Sequence, residues 1–321
     1  MIPILEPPSR YNTEKELRLK EGTAIPEKLK DLDVVLFREE TDLVFLKRLF
    51  KPSLFYNHRS ARPVTFMFNK IVKYKEPLDR AILRKDRKWI IKKFKELLEE
   101  VDVIVSNSKF TQANLKKYFG LDSFVVNPPV DLEKFKPCKN PTRDYFFSYQ
   151  RLFWQKRILT QVKAFKGINE KLIIETTKES GRHSCRLQRV IPQNVMNLPT
   201  LTDKELVKEI QNAKAVIQTC MEEDFGLVPV EAMACGTPVI VVDEGGFKET
   251  VHSPKLGIRI KPPYVKNLRK AVLNFDSSKY DSEILRKEAE KYSSERFAKE
   301  MKKYLEMAIL RFRAKHHGWF I

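Results

Sequence analysis

Two glutamates eight positions apart, Glu223 and Glu231, stand in the stretch Cys220 to Val251, which reads CMEEDFGLVPVEAMACGTPVIVVDEGGFKETV. Taken singly, Glu223 reads as a solvated loop charge and Glu231 as a carboxylate favoured by the dipole of a helix's first turn. Brought together at the carboxyl ends of parallel strands, where open α/β sheets bind ligands, two such acids can meet one molecule. A second set is cationic. Arg151 and Lys156, five residues apart, fall between a strand end and a helix start. That place suits an anion, which Arg meets with a planar fork and Lys with a point charge. In so basic a chain the alternative is a pair of surface cations. His58 leaves an apolar run within Asn57-His58-Arg59; a lone histidine is more often a satisfied loop residue. Metal patterns are weak. Asp31-Leu32-Asp33 precedes its apolar run, the wrong end of a strand for a ligand site, and His316-His317 cannot share one helical face.

The elements that must place these residues follow from periodicity and turn chemistry. Ala215 to Thr219 and Val239 to Val242 are continuous apolar runs, as buried parallel strands are. Between them Pro229 suits a first helical position, Gly236 stops the helix and Pro238 keeps it from resuming. With Gly245-Gly246 opening a further helix, the stretch reads βαβα. Strands are also expected at Val34 to Phe37, Ser53 to Tyr56, Asp102 to Ser106, Tyr145 to Tyr149, Lys171 to Thr176 and Gly257 to Ile260. Helices are expected at Thr41 to Phe50, Pro77 to Val101, after Ser108 to Phe119, Val265 to Phe275, Ser282 to Tyr292 and from Ser293 onward. The Pro77 to Val101 helix carries one apolar stripe (Leu83, Ile90, Phe94, Leu97, Val101) and a surface crowded by Arg84, Lys85, Arg87, Lys88, Lys92, Lys93 and Lys95. That surface reads first as a solvated face and second as a patch for anionic lipid.

The 321 residues suffice for two domains, and 42% hydrophobic content fits a folded globular chain. The four cysteines, Cys138, Cys185, Cys220 and Cys235, lack metal spacing and read as buried free thiols. No run of eighteen apolar residues and no signal-peptide pattern occurs, so a cytoplasmic protein is expected. The net charge of +19 favours anionic partners, but the basic residues are spread along the chain without a nucleic-acid motif, so nucleic acid is disfavoured.

The string Glu223, Phe225, Gly226, Glu231, Ala232, Gly236, Pro238, Val239, Gly245, Gly246, Glu249 resembles the donor-sugar signature of family 4 retaining glycosyltransferases. Further segments agree: Asn107-Ser108-Lys109-Phe110, Pro128-Pro129-Val130-Asp131 with Phe135, and Arg151-Leu152 with Lys156. Three features depart from the pattern. Gln150 replaces a glycine, Glu175-Thr176-Thr177 stands where a glycine-rich turn is usual, and no glycine pair occurs in the first 32 residues.

The resemblance implies the α/β GT-B fold, two Rossmann-like domains facing across a cleft, with a C-terminal helix crossing back to the first. Boundaries follow as a shortened N-terminal acceptor-side domain at 1–137, a nucleotide-sugar domain at 138–295 and a returning helix and tail at 296–321. The implied activity is hexosyl transfer, of mannose or a similar sugar, from a GDP- or UDP-linked donor to a glycan or lipid-linked acceptor, without metal or other cofactor. Arg151 and Lys156 would grip the diphosphate and Glu231 the ribose. Glu223, with the amides of Phe225, Gly226, Leu227 and Val228, would hold the sugar, and His58 would contact the sugar. The wording is most like mannosyltransferases of polysaccharide or lipid-linked glycan assembly, working in the cytoplasm or peripherally at the inner membrane face. A non-catalytic glycosyltransferase-like partner subunit is the alternative, and a basic nucleic-acid-binding protein the third reading.

Overall fold

The computed structural model describes residues 33–37, 51–58, 89, 91–152, 154–177, 187 and 189–317. The expectations for residues 1–32, for the helix at 41–50, for the basic helix before residue 89, and for Cys185 and the tail after 317 lie outside these. The chain divides into two compact units, residues 1–127 with 298–321, and residues 128–297.

The first unit holds a parallel sheet in the order β1-β2-β3-β4, with β1 Val35–Phe37, β2 Ser53–Asn57, β3 Val103–Ser106 and β4 Phe124–Val125. Helix α1, residues 91–99, buries Phe94, Leu97 and Leu98 against Phe37, Phe55 and Ile104. Its outer lysines are paired along the helix, Lys92 with Glu96 at 3.9 Å and Lys95 with Glu99 at 3.7 Å. Over these residues the face is exposed and carries short-range charge pairs worth a few tenths of a kcal/mol. Helix α2, Lys109–Phe119, begins where the Ser108 hydroxyl accepts the Thr111 amide at 2.9 Å and ends at Gly120 with φ 74°. Residues of the last helix group with this unit. Tyr304 stacks on Phe124 with centroids 4.6 Å apart, and Arg311 donates to the Asp102 carbonyl at 3.1 Å.

The second unit carries six parallel strands in the order β10-β9-β8-β5-β6-β7. They are β5 Tyr145–Arg151, β6 Leu172–Thr177, β7 Val195–Leu198, β8 Ala213–Gln218, β9 Val239–Val242 and β10 Gly257–Ile260. Helices α3 Ile158–Phe165, α4 Asp203–Asn212, α5 Leu227–Ala234, α6 Phe247–Thr250, α7 Val265–Leu273 and α8 Ser282–Glu290 connect and flank them, and α9 Ser294–His317 follows. Within this unit the strands leave from β5 in two directions, β6 and β7 one way and β8, β9 and β10 the other. The sheet therefore reverses its order between β5 and β8, and the crevice outside the carboxyl ends of those two strands is where this topology binds ligands. β8 and β9 are almost fully buried, as strands covered on both faces must be. α4 is fixed by a capping box in which Thr202 and Glu205 each satisfy the other's backbone amide.

The local differences from expectation are instructive. β5 runs on to Arg151, so Gln150 and Arg151 are strand residues, with Gln150 buried and Arg151 exposed. β6 likewise runs to Thr177, so the second departure from the family pattern is strand, with Glu175 and Thr176 buried. β7 and β4 had no apolar run long enough to mark them. Cys220 and Cys235 are buried, whereas Cys138 is half-buried, inside the second unit.

Candidate functional site

The acidic loop after β8 is shaped by the glycine pair after β9. Glu222 adopts φ 47°, Gly226 adopts φ 97°, and the Gly246 amide donates to the Glu223 carbonyl at 2.7 Å. A Cβ on Gly245 would lie 2.7 Å from the Glu222 carbonyl carbon, and one on Gly246 would lie 2.5 Å from Phe225 Cα. The pair is thus a floor under residues 222–225, which only hydrogen side chains allow to come so close. Gly246 itself has φ −66°, open to any residue, so Gly246→Ala adds a methyl without backbone strain. It is expected to cost about 1–3 kcal/mol through overpacking and to lower turnover by displacing Glu223. Thermal unfolding beside turnover checks this; a wild-type Tm would mean the loop yields freely.

Charged side chains converge on the same loop. Lys156 Nζ lies 2.8 Å from Glu223 Oε2, with both side chains three-quarters buried. Lys156 ends a 3₁₀ turn, Trp154–Lys156, placed by the end of β5. Arg157 follows with φ 52°, unusual for a residue with a side chain. Its guanidinium grips Glu244 in two bonds of 3.0 and 3.2 Å and reaches the Thr219 carbonyl at 3.4 Å. Glu244 also accepts the Glu222 amide at 3.3 Å. The Thr219 hydroxyl donates to the Lys156 carbonyl at 2.8 Å, and the Met221 amide donates to the Gln155 carbonyl at 2.8 Å. The segments after β5, β8 and β9 are therefore tied into one frame around Lys156 and Glu223. Arg151 stands exposed at the last position of β5, in register with Thr177.

Helix α5 starts at Leu227, two residues before Pro229, with Gly226 as its cap. This corrects the expected start: Glu231 lies in the second turn, beyond the reach of the first-turn dipole. The cause is Gly226, whose left-handed φ turns the chain into the helix early. Gly226 has no side chain, so the amides of Leu227 and Val228 receive no side-chain cap. Glu231 is instead held by Tyr149 of β5, whose phenol donates to Oε2. Burial pushes the Glu231 carboxyl above its usual range, while the Tyr149 hydrogen bond and the Lys134 charge pull it down.

His58 belongs to the first unit, half-buried directly after β2. The Asn107 side chain donates to its carbonyl at 3.2 Å, and the Asn107 amide donates to the Asn57 carbonyl at 3.0 Å. Asn127 donates in turn to the Asn107 carbonyl at 3.0 Å, so the segment Asn107-Ser108 fastens the exit of β2. Pro128 to Phe135 lies in the second unit. There Val130 donates to the Tyr292 carbonyl at 2.8 Å, and Arg286 donates to the carbonyls of Leu132, Phe135 and Ala234.

Of the residues singled out by sequence, Lys156 and Glu223 are in contact, and Phe225, Gly226, Leu227, Val228 and Glu231 continue the same turn and helix. Sequence reasoning missed Tyr149, Arg157 and Glu244. Arg157 and Glu244 sit beside Lys156 and Gly245, but a single charge next to a motif carries no pairing information. Among the described residues no group of three or more His, Cys, Asp or Glu could hold a metal ion.

A doubly wound sheet with a cation and an acid meeting at its switch point, in a chain with a second parallel sheet, matches the GT-B class of α/β proteins. Solved structures agree. Sucrose-phosphate synthase from Thermosynechococcus elongatus superposes with a TM-score of 0.71 at 21% identity, over 85% of this chain and 73% of that one. Anabaena HepE in complex with UDP and glucose gives 0.70 at 15% identity, over 92% and 80%. The family described as glycosyl transferases group 1 matches residues 130–296, and the chain belongs to it. Among relatives, a D-inositol 3-phosphate glycosyltransferase from Paenarthrobacter aurescens is 35% identical over 182 residues, 49% of this chain and 44% of its own length. The α-1,3/1,6-mannosyltransferase ALG2 of Saccharomyces cerevisiae is 26% identical over 203 residues, 47% of this chain and 40% of its own. The match thus spans less than half the length of these relatives.

Proposed function

We propose that the protein transfers a hexosyl group, mannose or a similar sugar, from a GDP- or UDP-linked donor to a glycan or lipid-linked acceptor with retention at the anomeric carbon. The observation that carries this reading is the Lys156–Glu223 contact at the switch point, 2.8 Å, which puts a cation of the kind that binds phosphate beside an acid of the kind that binds hydroxyls. The mannosyltransferase and inositol-phosphate glycosyltransferase among its relatives agree with it.

In this mechanism the bond from the anomeric carbon to the diphosphate breaks and its electron pair goes to the leaving phosphate oxygen. Arg151 and Lys156 stabilise the charge that develops there. The acceptor oxygen attacks the same face, and its proton passes to the departing phosphate, so no protein nucleophile is required. Glu223 and the uncapped amides at the start of α5 hold the sugar hydroxyls, and Glu231 holds the ribose. The role of His58 rests on the resemblance.

The test is a thermal-shift screen across GDP- and UDP-linked sugars, followed by donor hydrolysis by the isolated chain, with and without EDTA. A raised Tm with matched donors and EDTA-resistant hydrolysis are expected, because a ligand that binds only the folded state stabilises it. Binding without any turnover would favour the non-catalytic partner subunit. Steeply salt-dependent DNA binding with no nucleotide-sugar binding would favour the nucleic-acid reading. Peripheral contact with an anionic membrane through the Arg84 to Lys95 face is proposed from charge alone. Pelleting with anionic but not neutral vesicles at low salt is expected, and equal behaviour with both would remove it. Among the described residues no helix is long and apolar enough to cross a membrane.

A further inference from the structure

Tyr149 is a fixed point in the second unit. It is the fifth residue of β5, buried, with its ring stacked on Phe147 at a centroid distance of 5.5 Å. Among the described residues its phenol is the side chain hydrogen-bonded to Glu231, at Oε2. One such bond fixes the rotation of a carboxylate and leaves its other oxygen, here Oε1, for a second donor. Two residues further along the same strand stands Arg151. β5 therefore carries both a proposed phosphate ligand and the residue that orients the acid of α5.

The geometry points to Tyr149 as a positioning residue for the nucleoside, one that turns Glu231 so that Oε1 meets the ribose hydroxyls of the donor. This rests on the ribose role proposed for Glu231 above. The surroundings give it a pH signature. Burial raises the Glu231 carboxyl; the Tyr149 hydrogen bond and the Lys134 charge lower it, and Asp203 of α4 raises it. Burial and then the Glu231 charge push the Tyr149 phenol far up, so it stays a donor. Burial, then the Glu231 charge, pushes the Cys235 thiol up to about 12, hence neutral, with Arg286 of α8 opposing. Removing the phenol hydroxyl leaves burial less opposed, so Glu231 takes its proton at a higher pH than in the wild type. Affinity that needs the carboxylate then begins to fall at a higher pH.

The experiment measures affinity for GDP and UDP and for their 2′-deoxy and 3′-deoxy analogues, across acid to neutral pH, in wild type, Tyr149→Phe and Glu231→Gln. The nucleotide's own phosphate titrates alike in all three proteins. Wild type is expected to discriminate against the deoxy forms. Tyr149→Phe should bind the ribonucleotide about tenfold more weakly, narrow the gap between ribose and deoxyribose forms, and move the acid limb to higher pH. Glu231→Gln should keep only the limb that the nucleotide phosphate sets. Wild-type affinity, discrimination and acid limb in Tyr149→Phe overturn the inference while leaving the ribose role standing. A wild type indifferent to the hydroxyls removes the ribose role and the inference with it. Should Tyr149→Phe fail to fold, a Glu231→Gln acid limb identical to the wild type's, with nothing lost beyond the shared phosphate limb, overturns the inference on its own.

Discussion

Alanine at Arg151 or at Lys156 is expected to lower turnover of a nucleotide-diphosphate sugar by about a hundredfold or more, with the fold intact. The leaving group of the proposed reaction gains charge as the glycosidic bond breaks. A preorganised cation at that position stabilises the transition state more than the bound donor. The two residues should nevertheless behave differently in stability. Arg151 is exposed at the end of β5, so its removal leaves the Tm unchanged. Lys156 is in contact with Glu223 at 2.8 Å, so its removal takes this ion pair from a three-quarters buried carboxylate and lowers the Tm slightly. Arg151→Lys should recover only part of the turnover, because a point charge does not reproduce a planar fork. Turnover near wild type in both alanine variants would take the pair out of the mechanism.

The second unit was readable because its signals are local. Val239 to Val242 is an unbroken apolar run that became β9 with no change of boundary, and Ser282 opens α8 as expected. The site's frame was only half readable. Glycines at 226, 245 and 246 were visible as turn residues, but their reason is a close approach between segments some twenty residues apart, which no window of sequence contains. The clearest miss is the start of α5. Proline at 229 suggested a first helical position, and the left-handed Gly226 brought the start forward to Leu227, moving Glu231 out of the first turn. The Tyr149–Glu231 hydrogen bond spans 82 positions and has no trace in spacing or period. In the first unit the apolar runs behind β2 and β3 were clear, while β1 is only three residues long.

Glutamine at Glu231 and glutamine at Glu223 are expected to separate nucleoside binding from sugar transfer. Glu231 is not a first-turn dipole partner, so losing its charge should not cost the 0.3–1 kcal/mol or so of that role. The opposite sign is expected. Burial raises its carboxyl in the folded protein, so its contribution favours folding below the unfolded carboxyl range and is lost as pH rises through the folded value. At neutral pH the ionised side chain opposes folding, and Glu231→Gln should unfold at a higher temperature than wild type. The difference should shrink as the pH falls toward the unfolded carboxyl range. The same variant should bind free GDP or UDP about tenfold more weakly, since a charge-assisted hydrogen bond to the ribose becomes a neutral one. Glu223→Gln should leave nucleotide affinity within about threefold and lower turnover by about 10–100-fold, because its partner is the sugar and not the nucleoside. It also removes the negative charge facing Lys156 at the 2.8 Å contact, so no loss of phosphate binding is expected from it. The measurements are nucleotide affinity, turnover and Tm for both variants. Wild-type affinity and turnover in both would refute the assignment of the site and leave the non-catalytic subunit as the better reading.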